Sequence, residues 1–297
     1  MKLKNKLVMI GIFCVILASI LFFQCQIKEP FTNSNSSQIP NQIWTFWDGE
    51  IPDFIHKCIQ TWKRHNPTYS VTILNKNNIS DYLDKEEIKL INHPIFNDKI
   101  QRYSDAVRLS ILSKYGGFWM DASIICHRSF DWVHDIQKST NAEMIGFYLN
   151  KFTLPEYRNK ADVIESWFFA CIPNSHFVKN WYQEFMSISN HSSVDEYIKH
   201  LDEQGVHKQN INTPNYLAIH MSAQKLLQKQ KKNKYNLYLL KAEDIPFKYL
   251  EDNQWNTEVS IDKVLNHQYD DLYFLKITGS QRSYMINKDY STYFDKL

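Results

Sequence analysis

Residues 102–123, RYSDAVRLSILSKYGGFWMDAS, contain the two elements that decide the fold of this chain. Ser104 is a residue type that caps helix N-termini, and the apolar residues after it recur at helical spacing, so we predict a helix that begins there. Gly116 and Gly117 supply the backbone freedom that ends it. The apolar run 118–120 is too brief for a helix and rich in strand formers, so it predicts a strand that leads into Asp121.

Asp121 follows the predicted strand directly, at the position where α/β sheets bind their ligands. Asp105 and Arg108 are three residues apart, so both can face the same crevice from the first turns of the helix. Carboxylates accept hydrogen bonds from hydroxyl groups and guanidinium pairs with charged oxygens, which suits a polyhydroxylated, phosphate-bearing ligand. The spacing alone also allows a plainer interpretation, a solvated ion pair on the helix and a turn-forming aspartate.

The segment resembles glycosyltransferase family 32 and, more closely, the capsular polysaccharide synthesis glycosyltransferases. Those enzymes carry a helix with S-D-x-x-R, then Y-G-G, an aromatic residue and an acidic D-x-D motif for the sugar nucleotide. The matching residues are Ser104, Asp105, Arg108, Tyr115, Gly116, Gly117, Trp119 and Asp121. One position departs from the pattern, because Ser123 stands where D-x-D has its second acid, as in the D-A-[ST] form of the capsular branch.

A second block lies near the start of the folded region. The apolar and aromatic residues 42–47 predict a strand, a helix is expected to start at Pro52, and residues 69–74 alternate as another strand. This order predicts a parallel, nucleotide-binding type of sheet. The block is similar to the capsular family's opening, I-P-x-x-I-W-x-x-W-D-G, and the resemblance runs from about Ile39 to about Arg282. We expect Trp44 to be a core residue.

Later parts of the chain continue the α/β pattern. The predicted strands are residues 142–149, 166–171 and 272–278, and the predicted helices are residues 176–188 and 216–228, with a polar helical region at 80–100.

The resemblance implies a GT-A-like, Rossmann-type nucleotide-sugar-binding domain. It implies Asp121, Asp105 and Arg108 as catalytic residues, with Asp105 and Arg108 holding the donor sugar. The implied donor-binding residues are Trp47, which would stack on the base, and Ser104, Asp105, Arg108, Gly117, Asp121, Ala122 and Ser123. Further contacts to the donor are expected from Glu165, Ser166 and Trp167 in a second-half strand, and from Lys276 and Arg282 near the diphosphate.

A divalent cation, Mn²⁺ or Mg²⁺, is expected to stabilise the departing diphosphate. The expected ligands are Asp121 and, more weakly, Ser123, because a neutral hydroxyl is a poorer ligand for a hard cation than a carboxylate. Phosphate oxygens of the donor would complete the ion's coordination. Basic side chains are the alternative source of this stabilisation, with Lys276 and Arg282 the first to test.

Charge and cysteine content exclude several classes of protein. The chain has 34 Lys and Arg against 32 Asp and Glu in 297 residues, and this net charge of +2 gives no basic field of the kind nucleic-acid binders show. Its five cysteines are widely spaced, with no C-x-x-C pair, so neither a zinc site nor a disulfide framework is indicated. No H-E-x-x-H, G-x-S-x-G or P-loop motif occurs.

The N-terminal region predicts a membrane anchor. Three lysines precede an uncharged apolar run, so we predict a cytosolic tail (1–6), a transmembrane signal anchor (7–24), a flexible polar stem (25–38) and a catalytic domain (39–297). The alternative is a cleaved signal peptide. The lysines predict a single-pass type II topology, with the domain in the Golgi or secretory lumen of a eukaryote, or at a bacterial membrane.

The expected function is that of a retaining glycosyltransferase. It would move a sugar from a UDP- or GDP-sugar to a hydroxyl group of a glycan or glycolipid. The missing second acid motivates an alternative, a non-catalytic glycan- or nucleotide-binding protein with a degenerate glycosyltransferase fold. A membrane-tethered structural protein is a third possibility, with only the predicted anchor in its favour.

Overall fold

The computed structural model describes residues 38–230 and 234–297. Their strands are β1 (Gln42–Phe46), β2 (Ser70–Leu74), β3 (Gly117–Met120), β4 (Ile124–Cys126), β5 (Met144–Tyr148), β6 (Ile164–Cys171), β7 (Leu237–Lys241) and β8 (Phe274–Lys276). Their helices are α1 (Asp53–His65), α2 (Lys85–Ile91), α3 (Pro94–Asn97), α4 (Ile100–Tyr115), α5 (Asp131–Thr140), α6 (His176–Met186), α7 (Val194–Glu203), α8 (Ala218–Lys229), α9 (Lys248–Glu251), α10 (Thr257–Leu265), α11 (Gly279–Met285) and α12 (Tyr290–Asp295).

The predicted tail and anchor, and all of the predicted stem except its last residue, lie outside the described residues. In the part of the chain that the structure describes, no helix has both the length and the apolar character needed to cross a membrane.

A six-stranded mixed sheet occupies the centre, in the order β2-β1-β3-β6-β5-β7. β1 runs parallel to β2 and to β3, as the opening pattern predicts, and β5 runs parallel to β7. β6 lies antiparallel to both β3 and β5, so the prediction of a parallel sheet is wrong beyond the first three strands. β6 therefore starts at the edge of the sheet where β3 ends.

Two buried clusters cover the two faces of this sheet. Successive residues of a strand point to opposite faces, and accordingly Trp44 and Trp119 pack in one cluster while Ile43 and Phe118 pack in the other. The first cluster contains α4, α6 and α8, and the second contains α1, α5 and the last three helices. Trp44 is fully buried, which confirms that it is a core residue. Burial of each such side chain stabilises the fold by about 1.5–3 kcal/mol.

α4 begins at Ile100, four residues before the predicted start. Arg102 explains the earlier start, because its Nη1 donates to the carbonyl oxygen of Ile95 at 2.7 Å and to Asp98 Oδ1 at 2.6 Å. These bonds tie the first turn to α3. Ser104 therefore lies inside the helix and is not its N-cap, which corrects the prediction.

The two glycines after α4 are required by close packing. Gly116 has φ +63°, and Gly117 has φ +88°, in the region that favours glycine. A Cβ added to Gly117 would lie 2.5 Å from the carbonyl oxygen of Gln42 on β1. This contact lets β3 pair closely with β1, and it gives Gly117 a structural role whether or not it contacts a donor.

The other boundaries differ from prediction by a few residues. The polar region 80–100 is not one helix, since α2 ends at Ile91 and Pro94 starts a separate short helix, as proline often does. α2 begins with a capping box between Asp84 and Glu87. β8 is shorter than the predicted strand 272–278 and pairs with β4 in a separate two-stranded sheet, with Ile124 opposite Lys276.

Candidate active site

Three strand ends meet at one edge of the sheet. β1 and β3 run parallel, so the residues that follow them, Trp47 and Asp121, lie at the same edge. The antiparallel β6 begins there with Ile164 and Glu165, and the backbone N–H of Asp121 donates to the carbonyl oxygen of Trp167 at 2.9 Å. The two halves of the chain therefore both contribute polar residues to this edge.

Asp121 accepts hydrogen bonds from two cations. Arg108 Nη2 lies 2.8 Å from its Oδ1, and Lys276 Nζ lies 2.8 Å from its Oδ2. Trp119 Nε1 also donates to Oδ1 at 3.1 Å. Burial alone would raise the pKa of Asp121, but the attraction of Lys276 and Arg108 and the hydrogen bonds from Lys276 and Trp119 outweigh burial and lower it. The carboxylate is therefore ionised at neutral pH.

Arg108 joins two acids in the interior. Its Nη1 lies 2.8 Å from Asp105 Oδ1, and its guanidinium carbon lies 5.0 Å from the centre of the Trp119 ring. The side chains of Arg108 and Asp105 are only 6% and 14% exposed, so the interpretation as a solvated surface pair is wrong. Arg108 Nε has no hydrogen-bond partner among the described residues, and Nη1 has only its ion pair with Asp105, so buried N–H groups remain for a ligand.

Burial makes Asp105 sensitive to pH. It raises the pKa of Asp105 to about 6, because the loss of water outweighs the attraction of Arg108 and His220.

We expect the free energy of unfolding of the wild type, relative to Asp105→Asn, to decrease as pH rises. The folded-state pKa of about 6 lies above the ordinary 3.8, so the proton on Asp105 favours the folded state. Its contribution to the free energy of unfolding is complete below pH 3.8 and is lost as pH rises through 6. The difference between the two pKa values, 3.8 and about 6, limits the change in the free energy of unfolding to about 3 kcal/mol. Urea unfolding of both proteins at several pH values from 4 to 7 measures it. A difference between them that does not change with pH would contradict the raised pKa.

Lys276 lies between the two predicted metal ligands. The pairing of β8 with β4 brings its Nζ to 2.8 Å from Asp121 Oδ2 and 3.3 Å from Ser123 Oγ. Ser123 Oγ donates to the carbonyl oxygen of Ile277 at 2.6 Å. Both carboxylate oxygens of Asp121 are thus paired with side-chain cations and the Ser123 hydroxyl acts as a donor, so this arrangement does not fit a divalent ion. The described residues hold no group of three or more His, Cys, Asp and Glu side chains placed to bind a metal.

Trp47 lies beside a third cation at the same edge. Its ring is half-buried, and its Nε1 donates to the carbonyl oxygen of Glu50 at 2.9 Å. The guanidinium carbon of Arg282, on α11, lies 5.9 Å from the ring centre. The structure therefore brings Trp47 and Arg282 together, as their predicted roles require.

The remaining predicted residues are less directly placed. Ala122 and Ser166 are buried, and Ser104 is half-buried next to Asp105. Trp167 stacks on Phe147 with ring centres 5.6 Å apart, and its Nε1 has no hydrogen-bond partner among the described residues. Contacts of these residues with a donor stay predictions.

Sequence reasoning missed three residues near this edge. Trp119, predicted only as part of a strand, donates to Asp121. His220 Nε2 lies 3.6 Å from Glu165 Oε2, and the charges of Asp105 and Asp121 reach the phenol of the exposed Tyr216. His220 and Tyr216 belong to a region with ordinary helical periodicity, so no motif distinguishes them. Only Trp119 carried a signal, because its aromatic position is part of the matched pattern.

The fold and the site together define an α/β protein with a charged, partly buried cluster of side chains where three strands of a mixed sheet end. Residues 21–297 match the sequence profile of the family described as capsular polysaccharide synthesis protein. The chain belongs to this family, and the resemblance predicted from residues 39–123 is confirmed.

Two curated relatives are similar over part of the chain. One is an O-glycosyltransferase, braB, of Annulohypoxylon truncatum, 25% identical over 191 residues, which are 59% of this chain and 42% of the relative. The other is a glycosyltransferase, afumC, of Aspergillus fumigatus, 27% identical over 118 residues, which are 36% of this chain and 29% of the relative. The chain thus matches less than half the length of either relative.

Among solved structures, the chain is similar to a galactosyltransferase, LgtC, determined with donor and acceptor sugar analogues. The similarity covers 86% of this chain and 96% of that one, with a TM-score of 0.45 and 9% identity. The glycosyltransferase PaToxG is matched over 95% of both chains, with a TM-score of 0.42 and 15% identity.

Proposed function

We propose that the protein is a glycosyltransferase that moves a sugar from a UDP- or GDP-sugar to a hydroxyl group of a glycan or glycolipid, in a GT-A-like domain. Membership of the capsular polysaccharide synthesis family supports the proposal, as do the two curated relatives named as glycosyltransferases. The observation that carries it is the bridging of Asp121 by Arg108 and Lys276, at the sheet edge that also holds Trp47.

The order of groups along this edge suits a nucleotide sugar. The base would stack on Trp47, and the diphosphate would lie near Arg282 and Lys276, which are cationic. The sugar would reach Asp105 and Asp121, whose carboxyl groups accept hydrogen bonds from hydroxyls.

The chemistry requires charge stabilisation on the leaving group. When the bond between the anomeric carbon and the diphosphate oxygen breaks, negative charge develops on the diphosphate. The acceptor oxygen bonds to the anomeric carbon and gives up its proton to the departing diphosphate oxygen. Lys276 is fixed by its pairing with Asp121 and so needs little reorganisation to stabilise that charge. We propose retention of anomeric configuration, which nuclear magnetic resonance of the fresh product would test.

A donor panel tests the activity directly. Full-length protein is incubated with UDP-glucose, UDP-galactose, UDP-N-acetylglucosamine and GDP-mannose, with octyl glycosides as acceptors, and released UDP or GDP and sugar are measured. We expect at least one donor to be consumed. Tight binding of UDP or GDP in calorimetry, with no sugar released from any donor, would instead indicate the non-catalytic binding protein.

Replacing Trp47 by alanine is expected to raise the Kd for UDP or GDP about tenfold. Stacking of a base on an aromatic ring contributes about 1–3 kcal/mol, and this substitution removes the ring. Calorimetry measures the Kd, and Trp47→Phe, which keeps a flat ring, is the matched control and should stay within about threefold of the wild type. Equal affinities of the alanine and phenylalanine variants would refute the stacking role.

We propose a single-pass type II membrane protein with the catalytic domain on the non-cytosolic side. The proposal is based on the three lysines before the apolar run of residues 7–23. Protease treatment of sealed membrane vesicles tests it, because a domain inside the vesicles is digested only after detergent is added. Digestion without detergent would overturn this topology.

A further inference from the structure

Glu165, an expected contact of the donor, and His220 form a buried pair to which the proposed reaction assigns no specific role. Glu165 lies at the start of β6 and His220 in the first turn of α8, with Nε2 of the histidine 3.6 Å from Oε2 of the glutamate. They are 6% and 5% exposed. Nδ1 of His220 is buried and has no hydrogen-bond partner among the described residues. A buried polar atom without a partner costs about 1–3 kcal/mol, so such atoms often serve a ligand.

The pair is continuous with the site around Asp121. The backbone carbonyl of Trp167, two residues after Glu165, accepts the N–H of Asp121 at 2.9 Å. Trp167 Nε1 is a second buried nitrogen without a partner among the described residues, and it belongs to the same strand start as Glu165. His220 and Trp167 thus each bring an unpartnered polar nitrogen to the region of Glu165.

An exposed aromatic ring lies close to His220 along the chain. Tyr216, four residues before His220, is 59% exposed. Aromatic rings beside hydrogen-bonding groups suit the apolar faces and the hydroxyls of a sugar.

The local charge disfavours a phosphate here. Glu165 contacts His220, and within the described part of the chain it forms no ion pair with a lysine or an arginine that would neutralise it. Like charges repel an anion at close range, whereas hydroxyl groups can donate to a carboxylate and both donate to and accept from an imidazole. A neutral polyhydroxylated ligand fits this set.

We propose that Glu165 and His220 bind hydroxyl groups of a hexose, with His220 Nδ1 as one of the contacting atoms. The inference rests on the proposed function, because the hexose belongs either to the donor or to the acceptor of that reaction. The two sources share one chemistry, and the experiment separates them.

The donor arm compares nucleotide sugars with free nucleotides. Kd values for UDP-glucose, UDP-galactose and GDP-mannose, and for UDP and GDP, are measured by calorimetry on the full-length wild type, Glu165→Gln and His220→Phe. If the hexose of the donor is bound, the Kd for the nucleotide sugar rises about tenfold in both variants while the Kd for the free nucleotide is unchanged. His220→Gln, which keeps a side-chain amide for hydrogen bonding, should recover part of that loss.

The acceptor arm uses octyl glycosides of glucose, galactose and mannose. If the pair binds the acceptor, both variants keep the wild-type Kd and hydrolysis rate for the donor, while KM for the octyl glycoside rises about tenfold. His127→Gln is the matched control, because His127 is also buried with an Nδ1 that has no partner among the described residues, but its Nε2 contacts Tyr293 of α12 at 2.9 Å. We expect this control to leave donor Kd and acceptor KM unchanged.

The outcomes separate the pair from the proposed function. An active wild type whose two variants match it in both arms overturns the hexose site alone, as does an equal loss of affinity for free UDP or GDP. A wild type that binds and consumes none of the probes contradicts the proposed function, and the inference fails with it.

Discussion

Replacing Asp121 by asparagine is expected to lower kcat for sugar transfer about 10³-fold. Asparagine has the same shape, but it removes the charge that holds Lys276 and Arg108 at 2.8 Å. Lys276 then loses its fixed position for the leaving diphosphate, and Arg108 loses its fixed position for the sugar. The substitution should lower the free energy of unfolding by only roughly 1–3 kcal/mol. The Asp121 side chain is 30% exposed, so water can partly replace the contacts that are lost. Steady-state kinetics with the preferred donor and urea unfolding measure the two effects.

Asp98→Asn provides the matched control. Asp98 also pairs with an arginine, Arg102, at 2.6 Å, at the junction of α3 and α4. This variant should keep kcat within about twofold of the wild type, because Asp98 is 50% exposed, has no place in the proposed reaction, and leaves Arg102 its bond to the carbonyl oxygen of Ile95. An Asp121→Asn protein that turns over as fast as the Asp98→Asn protein would remove Asp121 from the reaction.

Activity of the wild type is expected to persist in excess EDTA, and Lys276→Ala is expected to lower kcat about 10²–10³-fold. The sequence predicts a weak divalent-ion site at Asp121 and Ser123, whereas the Lys276 ammonium already lies within 3.3 Å of both residues. A fixed ammonium can stabilise a developing diphosphate charge in the place of an ion. Because the alanine variant frees Oδ2 of Asp121, millimolar Mn²⁺ should restore part of its activity.

Lys225→Ala is the control for this experiment. Lys225 forms a comparable ion pair with Glu184 at 2.9 Å, between α8 and α6, and has no place in the proposed reaction. It should respond neither to EDTA nor to Mn²⁺. Loss of wild-type activity in EDTA with recovery in Mn²⁺ would assign the charge stabilisation to a metal ion, as the sequence predicts, and would leave Lys276 a structural partner of Asp121.

Local patterns were sufficient to predict the first half of the fold. Helical spacing, the two glycines and a short apolar run predict α4 and β3, and the opening pattern predicts β1, α1 and β2. The early start of α4 was missed because it depends on Arg102 reaching back to α3, which leaves no periodic signal. The direction of β6 was missed for a different reason, since strand pairing is decided by packing between distant segments and a strand pattern does not record orientation.

The site was predictable only where a motif marked it. The S-D-x-x-R pattern and the strand-end acid identified Asp105, Arg108 and Asp121, which the structure brings together. The family resemblance identified Lys276, but no rule based on sequence spacing could predict its contact with the carboxylate of Asp121, 155 residues earlier in the chain. His220 was missed because a single histidine in an amphipathic helix is usually a packing residue.

The pairing of Asp121 with Lys276 also determines when the site can form during synthesis. The two residues are 155 positions apart, so at 5–20 residues per second the ribosome makes Lys276 roughly 8–30 s after Asp121. During that interval the nascent chain has Arg108 but lacks Lys276 and β8, the strand with which β4 pairs. Closing so long a loop also costs conformational entropy, and this cost slows the pairing. A nascent chain should therefore be unable to transfer sugar until its last strand has emerged, which makes catalytic competence a late event in folding.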